Sequence, residues 1–170
     1  MILLNQINDV WLSLGSNLNC PIDQINIAIN KLKYLPYTKL IKYSSYYESI
    51  PLNNYNQPNY INLVVTLNTM LSLDSLFNFI KIIEYSQGRQ YNCLRWSSRV
   101  IDIDILLFGN YILNTSKLTI PHYDMLNREF VVYPMIELDN SIKLPTGLVI
   151  KNNIKLLSKK RILLLKKYNN

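Results

Sequence analysis

Residues 94–109 read LRWSSRVIDIDILLFG, and how that run is read decides the fold. Ile101, Ile103 and Ile105 alternate with Asp102 and Asp104; Leu106, Leu107 and Phe108 follow, and Gly109-Asn110 close the segment. Period-two alternation of β-branched residues ending in a turn pair predicts a strand. Residues i and i+2 of a strand point to one face. Asp102 and Asp104 therefore project side by side, and the isoleucines beside them face the core.

Two neighbouring carboxylates repel each other. Protonation of one, pairing with arginine or a shared cation relieves that repulsion. Hard oxygen ligands on one rigid strand suit Mg²⁺, above all when substrate phosphates complete its octahedron. Arg95 and Arg99 lie just upstream, within reach of such phosphates. Two readings stand open on this stretch alone: a metal–phosphate site, or a surface strand whose acids pair with nearby arginines.

A chain of 170 residues, 49% hydrophobic, is expected to form one domain with a proper core over residues 1–170, residues 1–9 being a short lead-in. No apolar run reaches membrane-spanning length and no basic-then-apolar leader opens the chain, so a soluble cytoplasmic protein is the expectation. The two cysteines, Cys20 and Cys93, form no ligand cluster and read as reduced and incidental. A net charge of +7 favours anionic partners without choosing among them. Part of it sits in Lys159, Lys160, Arg161, Lys166 and Lys167, which read as a solvated helix face.

Working outward, residues 10–14 predict a strand ending at the turn trio Gly15-Ser16-Asn17. Pro21 suits a first helical position, and Ile25, Ala28, Ile29 and Leu32 recur at helical spacing up to about residue 35. Residues 40–49 and 60–69 read as paired strands flanking an Asn- and Pro-rich loop, 51–59. A second helix begins at Ser72 or Asp74, carries Leu76, Phe77, Ile80, Ile83 and Glu84, and stops near Gly88. A polar, basic loop at 89–99 then leads into the acidic strand. Beyond it, 111–113 is expected to return as a hairpin arm, 124–128 to form a short helix, 130–138 to be an apolar stretch interrupted by Pro134, 143–150 a small hairpin, and 154–167 a basic terminal helix. The order β-α-β-β-α-β is the split βαβ, or ferredoxin-like, pattern. It predicts an α+β fold, an antiparallel sheet with helices on one face and a C-terminal extension.

The usual nucleotide motifs, GxxxxGK[ST] and a glycine-rich kinase loop, are absent. Phosphates must then be held by side-chain cations and metal rather than by a nest of amides, and Arg89, Arg95, Arg99, Lys117, His122 and Arg128 form such a set. Tyr60 and Asn62 share a strand face and offer a ring and an amide to a flat heterocycle. Each of these, taken singly, also reads as an ordinary packed or surface residue: a lone histidine, a buried tyrosine, a packed Trp96.

Together and in order, LSLGSNL (12–18), YYESIPLNNYNQPNYIN (46–62), QGR (87–89), RWSSRVIDIDILLFG (95–109) and IPHYDMLNREFVVYPMIEL (120–138) closely resemble the 6-hydroxymethyl-7,8-dihydropterin pyrophosphokinase family of folate biosynthesis, in its stand-alone form. The resemblance implies that the pterin hydroxymethyl oxygen attacks the β-phosphorus of MgATP and that AMP leaves. It implies two Mg²⁺ ions on Asp102 and Asp104, with Arg89 and Arg99 beside them in the catalytic set. It implies a pterin site of Tyr60, Phe130, Asn62 and Trp96, with the backbone near Ser49 and Leu52. For ATP it implies Arg89, Arg99, Lys117, Thr119, His122, Tyr123 and Arg128, with Glu84 on the bordering helix. ATP and the hydroxymethyl-dihydropterin are the implied partners, with no nucleic acid and no membrane, and a monomer is the expectation. Departures fall in the basic loop. Tyr91 stands where the family often has arginine, Cys93 and Leu94 make the loop less basic, Ser98 replaces a frequent proline, and Lys117 a common arginine. A loop at 87–98 that is mobile without ligand and closes over ATP is the further expectation. The competing readings are a basic ferredoxin-like nucleic-acid-binding module, which wants an aromatic RNP-type strand this chain lacks, and a family member that has lost catalysis.

Overall fold

The computed structural model describes residues 6–51, 56–89, 97–156 and 162–164. Leu52, Arg95, Trp96, Tyr91, Cys93, Leu94 and most of the 87–98 loop lie outside them, so their expected roles and that loop's closure have no structural account here.

The sheet is built on β1 (Asn8–Ser16), a run whose apolar residues are buried on both faces. β1 pairs antiparallel with β4 (Tyr60–Thr69) on one side and with β5 (Asp102–Phe108) on the other. β2 (Thr38–Tyr43) and β3 (Tyr47–Ser49) both pair antiparallel with β4. The resulting order, β5-β1-β4 and then β2 and β3, is the ferredoxin-like arrangement expected from the chain order.

Helices α1 (Pro21–Lys33) and α2 (Leu73–Ser86) cover one face. Pro21 opens α1 where its missing N–H costs nothing, and Ile25, Ala28, Ile29 and Leu32 form the buried stripe. The Ser72 hydroxyl caps α2 by accepting the Ser75 N–H at 3.2 Å. Their apolar stripes meet Leu12, Leu14, Leu63, Val65, Ile101, Ile103 and Ile105 in one cluster. Each fully buried Leu or Ile there is worth about 1.5–3 kcal/mol.

The opposite face is covered too, by α3 (Glu129–Leu138) and a 3-10 helix, Ile150–Leu156, over Trp11, Val64, Leu106 and Leu107. Helices on one face alone was therefore the wrong expectation. A bulge between Trp11 and Leu12 inserts Leu106 as an extra residue in β5, so Leu106 and Leu107 both serve this second core. α3 runs through Pro134 rather than stopping at it. An internal proline costs about 3 kcal/mol, and burial of Val131, Val132 and Met135, all 0% exposed, offsets it.

Two further expectations are corrected. The strand foreseen at 40–49 breaks into β2 and β3, because Ser44 and Ser45 turn their polar groups elsewhere. The Ser44 hydroxyl accepts the Val64 N–H at 3.0 Å, and the Ser45 N–H and hydroxyl donate to Glu137 at 2.9 and 2.8 Å. The terminal helix foreseen at 154–167 is overturned at its described residues: 154–156 end a 3-10 helix and Ile162–Leu164 form β8, antiparallel to β3. The open edge of β3 offers unpaired backbone groups to an Ile-Leu-Leu run, and helix propensity is too weak a preference to resist them. The segment after β5 makes its own two-stranded hairpin, β6 (Leu113–Asn114) with β7 (Thr119–Ile120). A 3-10 turn at Met125–Asn127 stands where a short helix was expected. Lys143 bridges Val149 in the expected small hairpin. No helix among the described residues is long and apolar enough to cross a membrane.

Candidate active site

The ends of β1, β4 and β5 converge with the start of α3 around a cavity of about 290 Å³. Ser49, Tyr60 and Asn62 line one side, Phe130 enters from α3, and Arg89, Arg99, Asp102, Asp104, His122, Tyr123 and Arg128 line the rest. A second cavity abuts the first, lined by Phe77, Lys81, Ile103, Asp104, Lys117, Thr119, His122 and Tyr123. Asp104, His122 and Tyr123 border both, so the acidic strand runs along the seam.

On the first side the strand register does the positioning. Gly15 of β1 sits opposite Asn62 of β4. A Cβ on Gly15 would lie 3.0 Å from Asn62 Oδ1, so the absent side chain leaves that amide its place. Asn62 Nδ2 donates to the Ser49 hydroxyl at 2.9 Å and to the Tyr47 carbonyl at 3.3 Å. The Tyr60 hydroxyl donates to the Ser97 carbonyl at 3.0 Å, tying this side to the basic loop.

Of the three relief mechanisms foreseen from sequence, the structure displays arginine pairing, unequally shared between the acids. Asp102 is held by Arg89 and Arg99, one on each oxygen, at 2.5 Å. Burial alone would raise its pKa; Arg99 and Arg89 overcome that and hold it below the usual carboxylate range. Asp104 is served less well. Arg128 Nη1 lies 3.2 Å from it and His122 Nε2 3.7 Å. Burial, and then the charge of Asp102, push its pKa upward. Adjacent acids are thus driven apart because the nearer arginines both sit on one of them. Burial also lowers the pKa of His122, favouring the neutral ring, with Asp104 opposing.

Glu84 lines neither of these two cavities but a third, which it shares with Lys81, Arg89 and Arg99. Its side chain is 1% exposed and receives Arg89, Lys81 Nζ at 2.8 Å and the Ile103 N–H at 2.8 Å. It holds the cations and the strand from behind, where a carboxylate presented to phosphate would repel it. Asp124 does the same for Arg128, accepting Nε–H at 3.0 Å.

Asp102 and Asp104 are the metal candidates. Among the described residues no cluster of three or more His, Cys, Asp or Glu is placed to hold an ion. That donor set fits Mg²⁺ of the kind bound by one or two carboxylates and completed by phosphate and water. The under-neutralised Asp104 at the seam is where a cation relieves most charge. Sequence reasoning missed Gly15, Lys81, Asp124 and the amide of Asn17. Asn17 was visible as a turn former, and Lys81 was visible three residues before Glu84 on one helix face.

Comparison with known proteins decides which chemistry this is. Residues 11–140 match the model of the family described as 7,8-dihydro-6-hydroxymethylpterin-pyrophosphokinase. The chain belongs to that family. It is 43% identical over 145 residues to the 2-amino-4-hydroxy-6-hydroxymethyldihydropteridine pyrophosphokinase of Haemophilus influenzae, covering 85% of this chain and 90% of the relative. It is 42% identical over 141 residues to the enzyme of that name from Pseudomonas aeruginosa, covering 83% and 86%. A crystal structure of HPPK-DHPS from Plasmodium falciparum superposes with a TM-score of 0.70 at 16% identity, over 91% of this chain and 46% of that one. That likeness shows the shared fold, and this chain spans about half of that neighbour's length. Within the pyrophosphokinase family the activity is pyrophosphoryl transfer to a pterin in folate biosynthesis, with ATP as donor.

Proposed function

We propose that the first cavity takes 6-hydroxymethyl-7,8-dihydropterin, that the second takes ATP, and that Asp102 and Asp104 hold two Mg²⁺ ions at the seam. The observation that carries this is the placement of Asp104, Tyr123 and His122 on the wall common to both cavities. Tyr60 and Phe130 are the rings for the pterin faces and Asn62 the amide for its edge. Thr119 and Lys117 line the nucleotide side; His122 and Tyr123 on the shared wall, with Arg89, Arg99 and Arg128 on the first cavity's side of it, meet the triphosphate where it crosses the seam.

In the reaction the hydroxymethyl oxygen forms a bond to the β-phosphorus, and the bond from that phosphorus to the α,β-bridging oxygen breaks. The bridging oxygen leaves with AMP, the β,γ-unit stays on the pterin, and the hydroxyl proton is lost to water. Bound metal would supply charge neutralisation along the phosphates. Arg89 and Arg99 occupy both oxygens of Asp102 without ligand. A cation held by that carboxylate would free Arg99 for phosphate and leave Arg89 with Glu84 as its remaining partner. Positioning and this electrostatic stabilisation are what phosphoryl-group transfer chiefly requires. Incubation with ATP, Mg²⁺ and the hydroxymethyl-dihydropterin should give AMP and pyrophosphorylated pterin in equal amounts by mass spectrometry, with chelation of Mg²⁺ abolishing both. ADP and a monophosphorylated pterin would contradict the proposal.

A further inference from the structure

We propose that Asn17 is a positioning residue that couples the two halves of the cleft, so that filling either side raises affinity on the other. The inference rests on the assignment of the cavities given above. Asn17 follows β1, is 2% exposed and lines neither cavity. Its Nδ2 donates to the Pro58 carbonyl at 3.1 Å and to Gln57 Oε1 at 3.1 Å, and lies 3.4 Å from the Ser98 hydroxyl. Its Oδ1 accepts the Arg99 N–H at 2.7 Å, and its own N–H donates to the Arg99 carbonyl at 3.0 Å. The Ser98 hydroxyl closes the circuit by donating to Gln57 Oε1 at 2.9 Å.

One buried amide thus fastens the segment that leads into Tyr60 and Asn62 to the main chain of Arg99, whose guanidinium holds Asp102. Only a carboxamide offers two donors and an acceptor in one plane at this length. Because unmade bonds of a buried amide are costly, these contacts form or shift as a set. A displacement of Arg99 when phosphate arrives is felt at Pro58, and seating the pterin steadies Arg99.

The test is calorimetric titration with the α,β-methylene analogue of ATP and Mg²⁺, with and without saturating hydroxymethyl-dihydropterin, and in the reverse order. Coupling between sites commonly amounts to about 5–150-fold and is the same from either side. The native chain is expected to show at least about fivefold enhancement in both orders, within that range. Asn17→Ala, and Asn17→Asp, which keeps the acceptor and loses both donors, are expected to bring it within about twofold of none. Where those variants do not fold, Gln57→Ala and Ser98→Ala each remove two of these contacts and are expected to reduce the enhancement. A role confined to structure would weaken each ligand alone and leave the enhancement intact; that result, or no enhancement in the native chain, overturns the proposal. Because the analogue cannot turn over, failure of the coupling is distinct from failure of the assigned reaction, which shows as absent AMP from ATP itself.

Discussion

At the scale of single residues, the two acids of β5 are unequal although the sequence presents them alike. Arginines on both oxygens of Asp102 leave Asp104 to face the seam with weaker compensation. Asp102→Ala is expected to abolish turnover while far-UV circular dichroism stays that of the native chain, since Arg89 retains Glu84. Near-normal activity would remove Asp102 from the metal site. Gly15→Ala places a methyl 3.0 Å from Asn62 Oδ1 and should raise the KM for the pterin about tenfold, roughly 1.4 kcal/mol, with the KM for ATP unchanged. Steady-state kinetics with each substrate varied checks it. The side-by-side projection of the acids was legible because a strand's period is two. Which arginine serves which oxygen was not, because Arg89 is also held by Glu84, brought in from α2 nineteen residues before Ile103.

At the scale of elements, local pattern identified β1, β4, β5, α1 and α2, and failed where tertiary contacts outweigh local preference. Glu137 of α3 divides the 40–49 strand, Pro134 is carried within a buried helix, and β8 is a strand because β3 presents an open edge. Glu137 also accepts the Tyr47 hydroxyl at 2.9 Å. Burial, and then that bond, push the Tyr47 phenol above its ordinary value. The folded chain keeps a proton that the unfolded chain releases above about pH 10, so stability falls as pH rises past that point. Tyr47→Phe should cost about 1 kcal/mol at neutral pH and flatten the alkaline fall in denaturant midpoint; an unchanged slope would assign the fall to other groups. Truncation after residue 156 removes β8 and should lower Tm by several degrees and raise the KM for the pterin, since β8 backs Ser49. An unchanged Tm would show that β8 adds nothing to the sheet.

At the scale of the whole molecule, two cores on opposite faces grip one sheet whose strand ends form the cleft. β5 carries the acids, β4 and α3 carry the rings of Tyr60 and Phe130, and the segments between elements bring Arg89, Arg99 and Arg128. The cleft's residues come from segments far apart in the chain, so their convergence was legible only through the order of motifs that resemble the family, and their pairing only through the structure. The central claim is that the seam between the cavities is where the pyrophosphoryl group passes. The most direct measurement is AMP release from MgATP with the hydroxymethyl-dihydropterin present, comparing the native chain with Asp104→Asn. The account predicts pterin-dependent AMP release that falls at least about 100-fold in the variant. Release that needs no pterin, or that survives the substitution, would contradict it.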